Sequence, residues 1–392
     1  MAATSLGEVR TRRAWVGLLG AVVASSLVAC GSSQSSPDPG PPHLAWQESA
    51  LPVAAGDRAL VRAATWCAGS WVVAGATADA DDRTRPAVWT STDARHWQTL
   101  TLHPGADYYT AREILSSVAC SGGRLALLGA TPGGAHWMPR TATWRQLSDG
   151  SLAAVRAPYL LFGGTESVDV ATLVGGPHGY LISGTRTNGA AVWHSSDGVA
   201  FRLYDGAPGL ASTPRLRTQA SDAMPYRDGW LVAGQAIESS GRLRGVTWTG
   251  DPGGSWSRLQ VPGGTVLTTA ERLVATPAGP DVAGLLDDGF GLWALRGGSW
   301  TITERFGSTD PDGTDASFVS GLADAGGIVA ATYSDGAHFR LWVGSDVPMP
   351  TEVAVDGDRT ATVAAHGRRL LLLTDDADAG RAWLTTVPRP VA

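Results

Sequence analysis

Short alternating runs of apolar and polar residues, each broken by a glycine-bearing turn, fill most of the chain, and one arrangement of runs returns seven times. Alternation with a period of two predicts strands with one buried face, and glycine at their ends predicts tight turns. Each copy begins with an alternating strand and a Gly turn. An apolar strand follows, often closed by Gly, then a polar loop, a strand carrying an aromatic, a short turn and a last strand. The second strands are clearest at Gly69-Ser70-Trp71-Val72-Val73-Ala74-Gly75 and Gly122-Gly123-Arg124-Leu125-Ala126-Leu127-Leu128-Gly129. They are equally clear at Gly179-Tyr180-Leu181-Ile182-Ser183-Gly184 and Gly229-Trp230-Leu231-Val232-Ala233-Gly234. Weaker copies follow around Val282, Ile328 and Leu370.

The third strand of each copy carries a tryptophan: Trp89, Trp144, Trp193, Trp248, Trp293, Trp342 and Trp383, at separations of 55, 49, 55, 45, 49 and 41 residues. A four-stranded meander cannot bury both faces alone, whereas stacking seven of them radially buries every face between neighbours. The expected fold is therefore all-β, a seven-bladed β-propeller of four-stranded antiparallel blades, with the tryptophans as inter-blade packing. Fourth strands read aromatic-x-x-apolar-x-apolar, as at Trp97 to Leu102 and Trp256 to Val261. Trp46-Gln47-Glu48-Ser49-Ala50-Leu51 has a similar cast but no unit before it, and the last unit stops after its third strand. The N-terminal strand is thus expected to complete the last blade and remove its open edge.

The first 43 residues follow other rules. Arg10, Arg12 and Arg13 precede an apolar or small-residue run from Ala14 to Ala29, too short for a secure transmembrane helix and suited to a signal peptide. The run ends in Leu27-Val28-Ala29-Cys30-Gly31, which resembles the bacterial lipobox. That resemblance implies cleavage before Cys30 and its modification by palmitate-type acyl chains, giving a stable membrane anchor. Residues 32–42, rich in Ser, Pro and Gly, read as a flexible tether. Expected boundaries are 1–29 for the signal peptide, 30–43 for the lipidated Cys and tether, and 44–392 for the propeller. Thr11-Arg12-Arg13-Ala14-Trp15-Val16 also resembles a twin-arginine export motif, leaving two export routes open.

Composition narrows the chemistry. All 30 basic residues are arginine, so no lysine is available as a Schiff base, general base or phosphate-loop cation. Loss of residues 1–29 would remove three arginines and one glutamate, taking the formal charge from −6 to −8. A net negative chain argues against nucleic acid as a partner. The eight histidines show no metalloenzyme spacing and no G-x-S-x-G elbow occurs. No cofactor is expected. The one cation candidate is Asp310-Pro311-Asp312-Gly313-Thr314-Asp315, whose alternating carboxylates in a Gly-bent loop suit Ca²⁺.

Cys67 and Cys120 sit where the first strand of a unit meets its turn, in neighbouring units. An oxidising compartment then predicts a disulfide between them. Thr249-Gly250-Asp251-Pro252-Gly253-Gly254-Ser255-Trp256 fits the Asp-box pattern. Ser91-Thr92-Asp93-Ala94-Arg95-His96-Trp97 and Ser195-Ser196-Asp197-Gly198-Val199-Ala200-Phe201 are one residue shorter. Asp93, Asp197 and Asp251 would accept turn N–H groups, and Trp97, Phe201 and Trp256 would plug the hairpins. These turns resemble those of sialidase-like propellers, and the whole resembles actinobacterial propeller lipoproteins. The resemblance implies a structural role for the turns.

Candidate ligand-binding residues fall on two long links expected at the channel mouth. Residues 103–113 carry Asp107, Tyr108, Tyr109, Arg112 and Glu113, and residues 205–222 carry Arg215, Arg217 and Asp222. Aromatics beside arginines suit a glycan or an anionic group. The sequence points to a monomeric, lipid-anchored module on the extracytoplasmic face of the cell membrane, binding an envelope protein or glycan without catalysis. A sialidase-like glycoside hydrolase is the alternative.

Overall fold

The computed structural model describes residues 44–133, 138–312, 316–344, 360–376 and 378–389. The expected signal peptide, Cys30 and the expected tether lie outside the described residues. The described chain is all-β apart from two single helical turns, and its sheets are seven radially stacked blades. The inner strands are Arg58–Cys67, Ile114–Ser121, Ser167–Gly176, Leu216–Tyr226, Arg272–Thr276, Phe318–Asp324 and Thr360–His366. Three further antiparallel strands run outward in every blade except the sixth, of which two more are described, Val329–Ser334 and Phe339–Val343. No helix among the described residues is long and apolar enough to cross a membrane.

Packing explains why seven weakly similar units make one ring. The described residues hold seven large apolar clusters, one at each junction between neighbouring blades. The core is thus divided among the junctions. The inner strand of several blades bulges by one residue, at Arg62, Ser116, Ser221 and Ser320. A bulge pushes the inner backbone toward the second strand. The glycine closing the second strand sits opposite that point. A Cβ on Gly75 would lie 1.8 Å from the Leu60 carbonyl oxygen, and one on Gly234 would lie 1.9 Å from that of Gln219.

The ring closes as expected. Gln47–Ala50 pairs antiparallel with Gly380–Thr386 as the outer strand of blade seven. Ser49 Oγ donates to the Ala94 carbonyl and accepts from Trp97 Nε1 at 2.9 Å, tying this strand to blade one. On the inner side Arg62 pairs with Asp375, and Trp66 stacks on His366 with ring centres 3.9 Å apart. Cys67 and Cys120 form a disulfide across the junction of blades one and two.

Candidate functional site

The recurrent tryptophans define a fixed point at each junction. Trp89, Trp144, Trp193, Trp248 and Trp293 are all fully buried. Four of these indoles donate to a backbone carbonyl of the link that enters their blade. The acceptors are Pro52, Leu161, Gly209 and Pro262, at 2.7–2.9 Å. The exception is Trp144, whose Nε1 donates to the Glu113 carboxyl at 2.8 Å. Trp342 and Trp383 are only partly buried. The first stacks on Phe306 at 4.7 Å and the second donates to Thr374 Oγ1.

Glu113 differs because its link takes another path. The fourth strand of blade one is just Gln98–Thr99; the chain then leaves it, and Leu102–His103 pairs in parallel with Leu152–Ala153 on the outer edge of blade two. From there residues 104–113 return across blade two to its inner strand. Asp107 Oδ1 fixes the return by accepting the amides of Tyr109 and Thr110, and Thr110 Oγ1 donates to the Pro104 carbonyl. The detour leaves a pocket of about 790 Å³ between the returning link, the strands Met138–Gln146 and Leu152–Val155, and the link that follows them.

Two tyrosines and an arginine shape this pocket. The Arg140 guanidinium lies 4.5 Å from the Tyr159 ring centre and 5.6 Å from that of Tyr109. Each ring rests on a glycine: a Cβ on Gly133 would meet the Tyr109 ring at 2.3 Å, and one on Gly163 would meet the Tyr159 ring at 2.6 Å. Arg156 lines the same pocket and is exposed. Glu113 forms part of the wall but has no exposed surface. Burial pushes its carboxyl up to about 7; the Trp144 N–H opposes this and nearby Asp107 reinforces it.

Of the residues anticipated on this link, the fold gathers Asp107, Tyr109 and Glu113 at the pocket. Tyr108 points outward and is 63% exposed, with the Arg112 guanidinium stacked 3.9 Å over its ring. Arg140, Arg156 and Tyr159 were not anticipated. No lining residue belongs to an inner strand, so the pocket lies over the outer part of blade two and not at the channel mouth.

The second anticipated link is shorter than expected. A strand begins at Leu216, placing Arg217 and Asp222 within it; the bulge at Ser221 breaks the alternation that would have revealed it. Arg215 and Arg217 are exposed. Asp222 is buried and accepts the Leu273 amide of the next blade at 2.9 Å. Glu271 repeats the device one blade on, accepting from Val319 N and Thr269 Oγ1. Burial raises both carboxyls, with Arg272 opposing. These acids bind blade to blade.

At the expected hairpin turns, Asp93 Oδ1 accepts the amides of Arg95 and His96, and Ser91 Oγ accepts that of Ala94. The His96 amide and ring together hold the Asp93 carboxyl below the ordinary range. Asp197 and Ser195 repeat this arrangement with Val199, Ala200 and Gly198. Trp97 and Phe201 are buried beside these turns. At the longer turn the Asp251 carbonyl, in place of its side chain, accepts the Gly254 amide, and Trp256 is buried. Asp335 and Asp376 make similar turns in blades six and seven, between second and third strands. Of the acidic loop considered for Ca²⁺, Asp310 Oδ1 accepts the Asp312 amide, while residues 313–315 lie outside the described residues. The described residues hold no group of three or more metal-ligating side chains.

No protein-family model matches the chain, and no curated protein matches its sequence. Solved structures do match. The β-propeller domain of Cps50 (Swd1) from Myceliophteria thermophila is 14% identical, with 86% of this chain and 99% of that one covered, at a TM-score of 0.50. The periplasmic gluconolactonase PpgL of Pseudomonas aeruginosa is 14% identical over 83% and 88%, at 0.45. The Trypanosoma rangeli sialidase is 13% identical over 84% and 55%, at 0.43. The likeness to the Cps50 domain agrees with the β-propeller fold and shows no particular chemistry.

Proposed function

We propose that the chain is an exported lipoprotein, anchored through Cys30 on the extracytoplasmic face of the cell membrane, whose propeller binds an envelope protein or glycan without catalysis. The observation that carries the binding reading is the blade-two pocket. Among the described residues, Arg140 and Arg156 have no carboxylate partner there, and Tyr109 and Tyr159 flank Arg140. A rigid ring presenting charged and aromatic groups around a cavity is suited to hold a ligand. The carboxylates of buried Asp222 and half-buried Glu271 are engaged by backbone amides, which leaves them unsuited to act as a glycosidase pair.

The test is chemical crosslinking and pull-down of the full-length protein from native membranes, with Cys30→Ala as the untethered control. One reproducible partner, lost in the control, is the expected result. Absence of any partner would overturn the scaffold reading. The alternative hydrolase reading draws on one feature, the high proton affinity of Glu113 at the pocket wall. Turnover of glycosides by the intact protein that disappears in Glu113→Gln would favour it.

A further inference from the structure

Arg140 has no hydrogen-bond or ion-pair partner among the described residues, and its Nε is buried. Buried polar groups are nearly always paired, and a guanidinium lacking an acceptor is poorly compensated by ring faces alone. Yet the fold invests in this placement. Tyr109 comes from the link before blade two and Tyr159 from the link after it, and Gly133 and Gly163 make room for the two rings. Arg156 directly follows Val155, which closes its strand opposite Thr143, and it lines the pocket together with Arg140. Two cations thus line one pocket with Asp107 and the buried Glu113, whose carboxyl burial raises to about 7, so the arginines outweigh the negative charge there below neutrality.

The geometry points to a carboxylate-bearing saccharide as the ligand of this pocket, its carboxylate received by Arg140 and Arg156. A planar guanidinium is matched to a carboxylate by two parallel N–H···O bonds. The remaining walls fit the rest of a sugar. Pro104, Pro139 and Pro158 with the tyrosine edges offer surface to C–H faces, and the Thr141 hydroxyl can meet a ring hydroxyl. A volume of about 790 Å³ is ample for a disaccharide. The inference deepens the reading of the propeller as a binding module, and rests on it.

The experiment is isothermal titration of the full-length protein in detergent with a hexuronate-containing disaccharide and with its neutral methyl ester. The acid is expected to bind at least tenfold more tightly than the ester. Arg140→Gln should remove that preference, and Arg156→Ala, at an exposed position that leaves folding intact, should reduce it three- to tenfold. Gly163→Ala, which displaces the Tyr159 ring, should weaken acid and ester alike. Equal affinity for acid and ester, no binding of the acid, or unchanged preference in both arginine variants overturns the inference. Membrane pull-down with Arg140→Gln separates the two readings. A partner still captured by a protein that binds no acid leaves the scaffold standing without this pocket. Binding of the acid with no captured partner does the reverse.

Discussion

The junction of blades one and two and the junction of blades three and four are built on the same plan, yet they end on different acceptors. In both, a fully buried tryptophan of the third strand donates its indole N–H to the incoming link. At Trp248 the acceptor is the Gly209 carbonyl, which cannot titrate. At Trp144 it is the Glu113 carboxyl, which can. The first junction also carries the Cys67–Cys120 disulfide near its turns. A repeat fold can thus keep its packing constant and still make one junction responsive to protons and to reductant, by changing only what meets a fixed donor.

Reduction should separate the two junctions most. In the chain-entropy model a disulfide closing a loop of this size stabilises by about 4 kcal/mol. Replacing both cysteines with serine should lower the unfolding free energy by an amount of that order, and hydrogen exchange should rise around blades one and two well before blades three and four. Equal changes at both junctions would mean that the ring melts as one unit.

Glu113 gives the next effect. Its carboxyl moves from an ordinary 4.5 to about 7 in the folded chain, so between those values the folded state holds more protons than the unfolded one. Stability from this group is therefore present at low pH and lost as pH rises through about 7. The full loss is roughly 3 kcal/mol at 1.36 kcal/mol per pKa unit. Glu113→Gln should flatten that dependence and stabilise the protein at pH 8, as measured by chemical denaturation across pH. A dependence unchanged by the substitution would assign the proton elsewhere.

Phe in place of each tryptophan sharpens the contrast further. Trp248→Phe strands a carbonyl and should cost about 1–3 kcal/mol at any pH. Trp144→Phe strands a carboxyl and should cost more at pH 8 than at pH 5. The smallest expected effect is at Tyr108, whose ring is exposed beneath Arg112. Tyr108→Ala should shift stability by under about 1 kcal/mol and leave both junctions unchanged.

Most of the ring was legible in the chain because its information is local and repeated. Alternation gave the strands, the tryptophans gave the blade count, and the leftover strand at Trp46 to Leu51 gave the closure. The pair Cys67 and Cys120 was legible because equivalent points of adjacent units meet. The pocket was legible only in part. Asp107, Tyr109 and Glu113 stood out as varied chemistry on a long link. Arg140, Arg156 and Tyr159 join them only because Leu102–His103 pairs with Leu152–Ala153, a contact of two residues a side with no periodic signature. Glu113 read as a ligand-binding candidate on a link at the channel mouth because nothing nearby in sequence announces that Trp144 will cover it. The strand that absorbs Arg217 and Asp222 was hidden by its own bulge.

The strand Gln47–Ala50 has a consequence for how the chain is made. It leaves the ribosome before any blade, yet its partner Gly380–Thr386 is translated after nearly all the rest, and Ser49 meets the Ala382 carbonyl across 333 residues. Contacts of such separation are reached late, after the intervening chain has given up its freedom. The first propeller residues to be synthesised therefore have to wait for the last, and until they meet, blade seven exposes an unpaired edge able to recruit the wrong strand. Closure then works as a completion check, and a chain cut short before residue 380 has no native partner for its own beginning.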